Sequence, residues 1–341
     1  MRPSFSILFF TVMSGAGYGL WMIVGVALAM FWPETSSGEF LTLLRWPGFH
    51  IYGLAAGFLL VSSGLLSSLW HLGRPARAWR AFSQWRSSWL SREGVTAIFT
   101  FAPALGIAVV VAHDAWIMRT IGDEPVVGGT LWFTATTLAI LGTLLAIGSV
   151  LTVFCTGNIY ACLKPVRAWH NRYVVAGYLL LGIYSGGLLA WALCTLPHGH
   201  MRGTRWLLAG VVAAALAGAL LKHFYWRFID RERESTTGVA TGLGHLGTVR
   251  SFEQPHTEEN YLTHEMGFRI ARKHSRKLRR IVVVAGFLLP AALALLAVFV
   301  PGSWRVGAWI ALVTGMTGLF VERWLFFAEA RHTVMLYYGA R

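Results

Sequence analysis

Apolar residues occur in long, nearly uninterrupted runs, and short polar links separate one run from the next. Eight runs reach the roughly 20 mostly apolar residues that a helix needs to cross a hydrocarbon core. They lie near residues 5–32, 48–70, 93–113, 130–154, 171–194, 206–226, 280–300 and 304–327. Backbone groups in lipid must form their hydrogen bonds within the segment, so each run is expected to be an α-helix. The pattern therefore predicts an all-α integral membrane protein, with eight transmembrane helices in a single bundle over residues 1–341.

The overall composition agrees with this pattern. Hydrophobic residues make up 55% of the sequence and charged residues 13%, against about 25% charged residues in a soluble domain. The first run is too long for the apolar core of a removable signal and has no clear cleavage site, so we expect it to remain as the first span. The net charge of +14 does not indicate nucleic-acid binding, because the positive residues lie in the links rather than in a basic stripe with interleaved aromatics.

The positive residues instead predict the orientation in the membrane. Eight spans place both termini on one side, and 24 of the 29 Lys and Arg residues fall on that side. Cytoplasmic segments carry the excess of Lys and Arg, so the termini and the long 227–279 link are predicted to be cytoplasmic, in a bacterial cytoplasmic membrane. Within that link, residues 242–247 match the GxGxxG pattern, but no strand precedes them, so a flexible loop is favoured over a dinucleotide site.

Two ionisable residues flank the first basic link. His71 ends the second apolar run and Glu93 begins the third, so antiparallel packing of the two helices would place both near one membrane face. Titratable groups at such a depth are costly and often mark a ligand site or a proton path. The alternative is that both residues only cap their helices or contact lipid headgroups.

A short motif occurs twice and predicts a duplicated helix pair. The sequence RPARAW at 74–79 is followed ninety residues later by KPVRAW at 164–169, each time after a span that heads towards the cytoplasm. Chance similarity between basic links is an equally good explanation. The second copy has Ala161 where the first has His71, so the ionisable pair belongs to the first copy alone.

Several kinds of chemistry are disfavoured by the residues. Cys155, Cys162 and Cys194 are too few for a four-thiolate cluster and contain no CxxC pair, so structural thiols are expected. The histidines lie mostly at span ends or in links, which argues against a transmembrane haem ladder. Charges inside the spans are nearly absent, which argues against an ion pump.

A quinone is a plausible ligand for the site that remains. Its head requires a hydrogen-bond donor and a proton relay, while its tail stays in lipid. His71 would donate to the quinone oxygen, Glu93 would orient the imidazole or carry protons, and Arg74 and Arg77 would favour the more anionic reduced forms. The sequence predicts no metal ligands and no residue that is catalytic towards another substrate. The rival hypotheses are a small-molecule transporter, which breaks at Pro103 and Pro290 would support, and a purely structural anchor.

These residues resemble the membrane anchor subunit of the dimethyl sulfoxide reductase family. The shared pattern is HLGRPARAW at 71–79, followed by Ser91-Arg92-Glu93 at the opening of the next span. The eight-span layout is similar over essentially the whole sequence. The resemblance implies that His71 and Glu93 bind menaquinone or ubiquinone, and that the protein itself has no haem or iron–sulfur cluster.

The resemblance also implies partner subunits. The anchor would hold a subunit with [4Fe-4S] clusters and a molybdopterin catalytic subunit, and electrons would pass between quinone and the nearest cluster. The sequence departs from the family pattern in its longer 227–279 link and in the cytoplasmic placement of its termini. A cytoplasm-facing assembly suits the anchors of cytoplasmic sulfite dehydrogenases, which is the branch we favour.

Overall fold

The structure is a computed structural model, and it describes ten segments of the protein. All the regular secondary structure in these segments is helical. The described residues are 3–30, 47–70, 72, 74–121, 128–196, 204–231, 236–250, 252–253, 270–300 and 304–338.

Eight helical spans long and apolar enough to cross a membrane lie within these residues, which confirms the predicted fold class. A π-helical segment, Val282–Leu288, joins α7 to α8 into one span, and a 3-10 helix, Pro75–Gln84, lies in the first basic link. The helices are α1 Phe5–Ala29, α2 Pro47–Leu69, α3 Trp89–Ile121, α4 Gly128–Ala161, α5 Arg172–Leu193, α6 Thr204–Arg231, α7 Ile270–Ile281, α8 Leu289–Phe299 and α9 Trp304–Ala328.

Several helices run past the ends of their apolar runs. The third apolar run was predicted to begin at residue 93, but α3 begins at Trp89, and α4 continues to Ala161 rather than to residue 154. Helical hydrogen bonding does not stop where apolar residues stop, so polar turns extend the helices at the membrane boundary. Glu93 consequently lies within the first turns of α3 rather than at its start.

Helix α1 occupies the centre of the bundle and packs against α2, α4 and α5. Its crossing with α5 brings the two backbones into contact, because a Cβ atom on Gly19 would overlap the carbonyl group of Gly182. A Cβ atom on Gly186 would likewise overlap the backbone of Gly19. The absence of side chains at these glycines allows the two helices to pack this closely.

The two prolines within spans do not unwind their helices. Pro103 lies inside the continuous helix α3. Pro290 follows the π-helical segment and has no N–H for the carbonyl of Gly286 four residues earlier. The Tyr184 hydroxyl of α5 donates to that carbonyl at 2.5 Å and so replaces the missing partner. Neither site provides the broken helix that would support the transporter hypothesis.

One end of the bundle carries most of the charged contacts between helices, and we call it the basic end. There α2, α4, α6 and α9 end, and α1, α3, α5 and α7 begin. The Arg279 guanidinium of α7 donates to both carboxylate oxygens of Asp230 on α6, at 2.6 and 3.0 Å, and to Glu329 just after α9 at 3.0 Å. Burial raises the pKa of Glu329 above the usual range of a glutamate, and the Arg279 charge opposes this rise. These bonds tie three helices together at this end.

Candidate functional site

Glu93 is buried between α3 and α4 near the basic end. Its side chain is 5% exposed. Its Oε1 atom accepts a hydrogen bond of 2.5 Å from the hydroxyl of Thr156 on α4. The sequence singled out Glu93 at a membrane boundary, and the structure places it inside the protein rather than among headgroups. The helix-capping alternative is therefore weakened, because an acid that only caps a helix would lie at the terminus.

A file of hydroxyl groups continues from Glu93 towards the interior of the bundle. The hydroxyl oxygen of Thr156 also lies 3.0 Å from the carbonyl oxygen of Thr152. The hydroxyl of Thr152 lies 3.3 Å from that of Thr100 on α3. The buried hydroxyl of Tyr18 on α1 lies close to the same file. The carboxyl group of Glu93 therefore has one hydroxyl partner, and further buried hydroxyl groups lie beyond it.

These hydroxyls were missed by the sequence analysis, although a signal for them exists. Thr96 and Thr100 are four residues apart on α3, and Thr152 and Thr156 have the same spacing on α4. Residues four apart lie on one face of a helix, so each pair forms a short polar stripe in an apolar span. A search for such stripes next to Glu93 would have found them.

No Lys, Arg or His side chain among the described residues forms an ion pair with Glu93. Arg92, its neighbour in sequence, turns away from it and donates to the carbonyls of Trp85 and Arg86 at 3.0 and 2.6 Å. Its guanidinium also lies 4.3 Å from the centre of the Trp89 ring. Burial of an acid without such a partner is costly for the charged form.

The first basic link is held against α3 next to this acid. Phe82 lies over Gly94, where an added Cβ would meet its ring at 2.8 Å, so the glycine after Glu93 makes room for the link. Arg74 and Arg77 are both exposed on the link, and neither approaches Glu93 as an ion-pair partner. His71 lies outside the described residues, so its proposed pairing with Glu93 stays a prediction.

A second buried acid, Glu322 of α9, has a different environment. Its carboxylate oxygens accept from Nζ of Lys222 on α6 at 2.5 Å. They also accept from Nε and from a terminal nitrogen of Arg323. The guanidinium carbon of Arg323 also lies 4.4 Å from the centre of the Tyr178 ring on α5. The sequence indicated that charges inside the spans are nearly absent, but the structure joins these three charged residues into one buried cluster, which we call the Glu322 cluster.

The three cysteines and residues 242–247, to which the sequence also drew attention, form no metal or dinucleotide site within the described residues. Cys155 and Cys194 are buried, Cys162 is exposed, and all three are free thiols. No group of three or more potential metal ligands lies within the described segments. Residues 242–247 form a left-handed turn at Gly242 followed by one turn of 3-10 helix, without the strand that a dinucleotide site requires.

The fold and the site together define an integral membrane helical bundle with a buried acid near its basic end that forms no ion pair among the described residues. Residues 1–328 match the family model described as DMSO reductase anchor subunit (DmsC), and the protein belongs to this family. Its members are membrane anchors of molybdopterin oxidoreductase complexes, so the protein is an anchor that works with a catalytic subunit and an iron–sulfur subunit.

Three curated relatives support this membership. The C subunit of sulfite dehydrogenase from Allochromatium vinosum is 35% identical, and the match covers 99% of each of the two proteins. The anaerobic dimethyl sulfoxide reductase protein YnfH of Escherichia coli is 27% identical over 50% of this sequence and 54% of that protein. The third relative, the C component of the Haemophilus influenzae anaerobic dimethyl sulfoxide reductase, is 23% identical over 55% of this sequence and 57% of that protein.

Proposed function

We propose that this protein provides the quinone site of its complex and exchanges electrons between the membrane quinone pool and the iron–sulfur subunit. The observation that supports this most directly is the buried carboxyl group of Glu93. It has the Thr156 hydroxyl as a partner and no countercharge among the described residues. An acid in this environment is suited to taking up and releasing a proton rather than to holding helices together.

The residues fit a quinone head at this place. When bound, menaquinol or ubiquinol supplies two electrons and two protons on oxidation. His71 would hydrogen-bond a quinone oxygen, and Glu93 would receive a proton from that oxygen or from the imidazole. Thr156 holds one carboxylate oxygen of Glu93, so the other oxygen is left for proton exchange. Arg74 and Arg77 are exposed on the adjacent link and would favour the more negative forms of the bound head by their charge.

We further propose the sulfite dehydrogenase type of complex, with the termini in the cytoplasm. The Allochromatium vinosum relative is matched along the whole sequence, whereas the two dimethyl sulfoxide reductase proteins are matched along about half of it. The distribution of Lys and Arg supports cytoplasmic termini. Labelling of Cys162, which is exposed near the end of α4, from the cytoplasmic side of sealed vesicles would support this orientation. Labelling from the opposite side would contradict it.

Purification of the complex in a mild detergent is the first test. Molybdenum and iron that copurify with two partner subunits, without a haem absorption band, would support the proposed assembly. A protein that purifies alone and free of metal in several mild detergents would contradict it and would favour the transporter hypothesis.

Titration of a quinol analogue then tests the site itself. We expect His71→Ala to weaken binding to the intact complex by about tenfold or more, since it removes the hydrogen bond to the quinone oxygen, and Glu93→Gln to weaken it as well, since the amide cannot take a proton from that oxygen or from the imidazole. Suitable controls are His223→Ala and Glu253→Gln, because both side chains are exposed and lie outside the site. Unchanged binding in both site variants would show that the residues are structural.

A further inference from the structure

A groove opens on the outside of the bundle where α5 begins and α6 ends. It has a volume of about 370 Å³ and is lined by Tyr173, Phe224, Arg227, Phe228 and Arg231. The four α6 residues are spaced three and four apart, so they form one face of the helix. The rings of Tyr173 and Phe228 lie 5.8 Å apart and join the two helices across the groove.

The groove is positively charged, and its charges are not neutralised by the described protein. Arg227 and Arg231 are exposed and form no ion pair with any described residue. Asp230, the nearest acid in sequence, is already bound by both terminal nitrogens of Arg279. Arg172 lies beside the groove and donates to the Tyr173 hydroxyl at 3.2 Å. No acidic side chain from the described segments lines the groove.

The position of the groove matches the boundary between lipid headgroups and lipid tails. Arg231 ends α6, and Phe224 lies two turns deeper, which corresponds to about 10 Å along the helix axis. Phe224 is 45% exposed on the outside of the bundle. Arg231 therefore lies nearest the headgroups, Phe228 and Arg227 lie about one turn deeper, and Phe224 lies at the level of the first acyl carbons.

We infer that this groove binds an anionic phospholipid, with its phosphate between Arg227 and Arg231 and an acyl tail along Phe224 and Phe228. Basic pockets between spans at a membrane surface are suited to such headgroups. The aromatic wall distinguishes this ligand from a free phosphate ion, which would gain nothing from it. The site is separate from Glu93, so it makes no use of the proposed quinone chemistry.

Native mass spectrometry of the purified complex with added phospholipid tests the inference. The probes are phosphatidylglycerol and phosphatidylcholine with identical acyl tails. We expect preferential retention of phosphatidylglycerol, and Arg227→Gln with Arg231→Gln should reduce that retention on the order of twentyfold, as each arginine near an anionic lipid contributes roughly fivefold. Phe228→Leu should weaken retention of both lipids.

The matched control is Arg276→Gln with Lys277→Gln, which removes two exposed charges from α7 at the same end of the bundle. Equal losses in the control and in the groove variant would show that the lipid responds to total charge, and this would overturn the site. Equal retention of the two lipids by the unmodified complex would also overturn it. Displacement of the lipid by millimolar inorganic phosphate would show that the groove is a phosphate site and not a lipid site.

Discussion

The two regions that contain the copies of the RPARAW-like motif differ in how far other residues cover them. In the second copy Trp169 is buried, and its indole nitrogen donates to the carbonyl of Phe326 at 3.0 Å. The end of α9 covers this copy, and the rings of Tyr160, Phe326 and Phe327 surround the indole. In the first copy the corresponding Trp79 is 66% exposed. Among the described residues, α9 therefore covers the second copy, whereas the first copy is largely exposed.

The acids of the two regions differ in the same way. Glu322 lies in the covered region and is bound by Lys222 and Arg323. Glu93 lies beside the exposed link and is bound by the hydroxyl of Thr156. A buried acid between two cations is kept ionised and holds helices together, whereas an acid with hydroxyl partners is free to change its protonation. The comparison therefore supports a structural role for Glu322 and is consistent with the proton exchange that we propose for Glu93.

Glu322→Gln should produce the largest loss of stability. The amide keeps the shape of the side chain but leaves Lys222 and Arg323 as buried, uncompensated cations, and removal of one partner of a buried pair costs about 3–5 kcal/mol. Thermal or denaturant unfolding of the purified protein in detergent measures the change. Glu253→Gln is the control, because that side chain is exposed. If the Glu322→Gln protein is as stable as the control, the Glu322 cluster does not stabilise the fold.

Trp169→Ala and Trp79→Ala should differ sharply in their effects. Loss of the buried Trp169 ring leaves a cavity and an unpaired carbonyl at Phe326, at a cost of about 3–5 kcal/mol. Loss of the exposed Trp79 ring should change the stability of this subunit by about 0.5 kcal/mol or less. Unfolding of the two purified variants under the same conditions measures the difference in stability. Similar losses for both variants would mean that the first link is covered as tightly as the second.

Glu93→Gln should separate activity from stability. The amide oxygen can still accept the Thr156 hydrogen bond, so unfolding should be nearly unchanged, but the side chain can no longer carry a proton. We expect quinol-linked turnover of the complex to fall about 100-fold, within the range of general acid–base catalysis. Turnover with an artificial electron donor that bypasses the membrane subunit should persist. If Glu93→Gln instead lost stability to the same extent as Glu322→Gln, the two acids would be equivalent.

The sequence predicted the spans and drew attention to Glu93, but it did not predict the partners of Glu93. The apolar runs predict the spans directly, because each run is a local pattern. The Thr156 contact with Glu93 joins residues 63 positions apart, and the contact of Arg279 with Glu329 joins residues 50 apart. Such contacts depend on the orientation of each helix about its own axis in the bundle, and no local sequence pattern predicts this orientation. The Glu322 cluster was missed for the same reason, because Lys222 lies on α6 and its partners Glu322 and Arg323 lie on α9.

Thr156→Val should have the smallest effect of the four and tests whether the hydroxyl positions Glu93. Valine has nearly the same shape but cannot donate, so the carboxyl group loses a hydrogen bond worth about 1 kcal/mol and is free to rotate. We expect quinol-linked turnover to fall by about fivefold to tenfold, with a shifted pH profile because the acid has a new environment. Thr156→Ser keeps the hydroxyl and should restore both turnover and pH profile. A valine variant whose pH profile matches that of the unmodified complex would mean that Glu93 works without the Thr156 contact, and the hydroxyl file would then be a packing feature only.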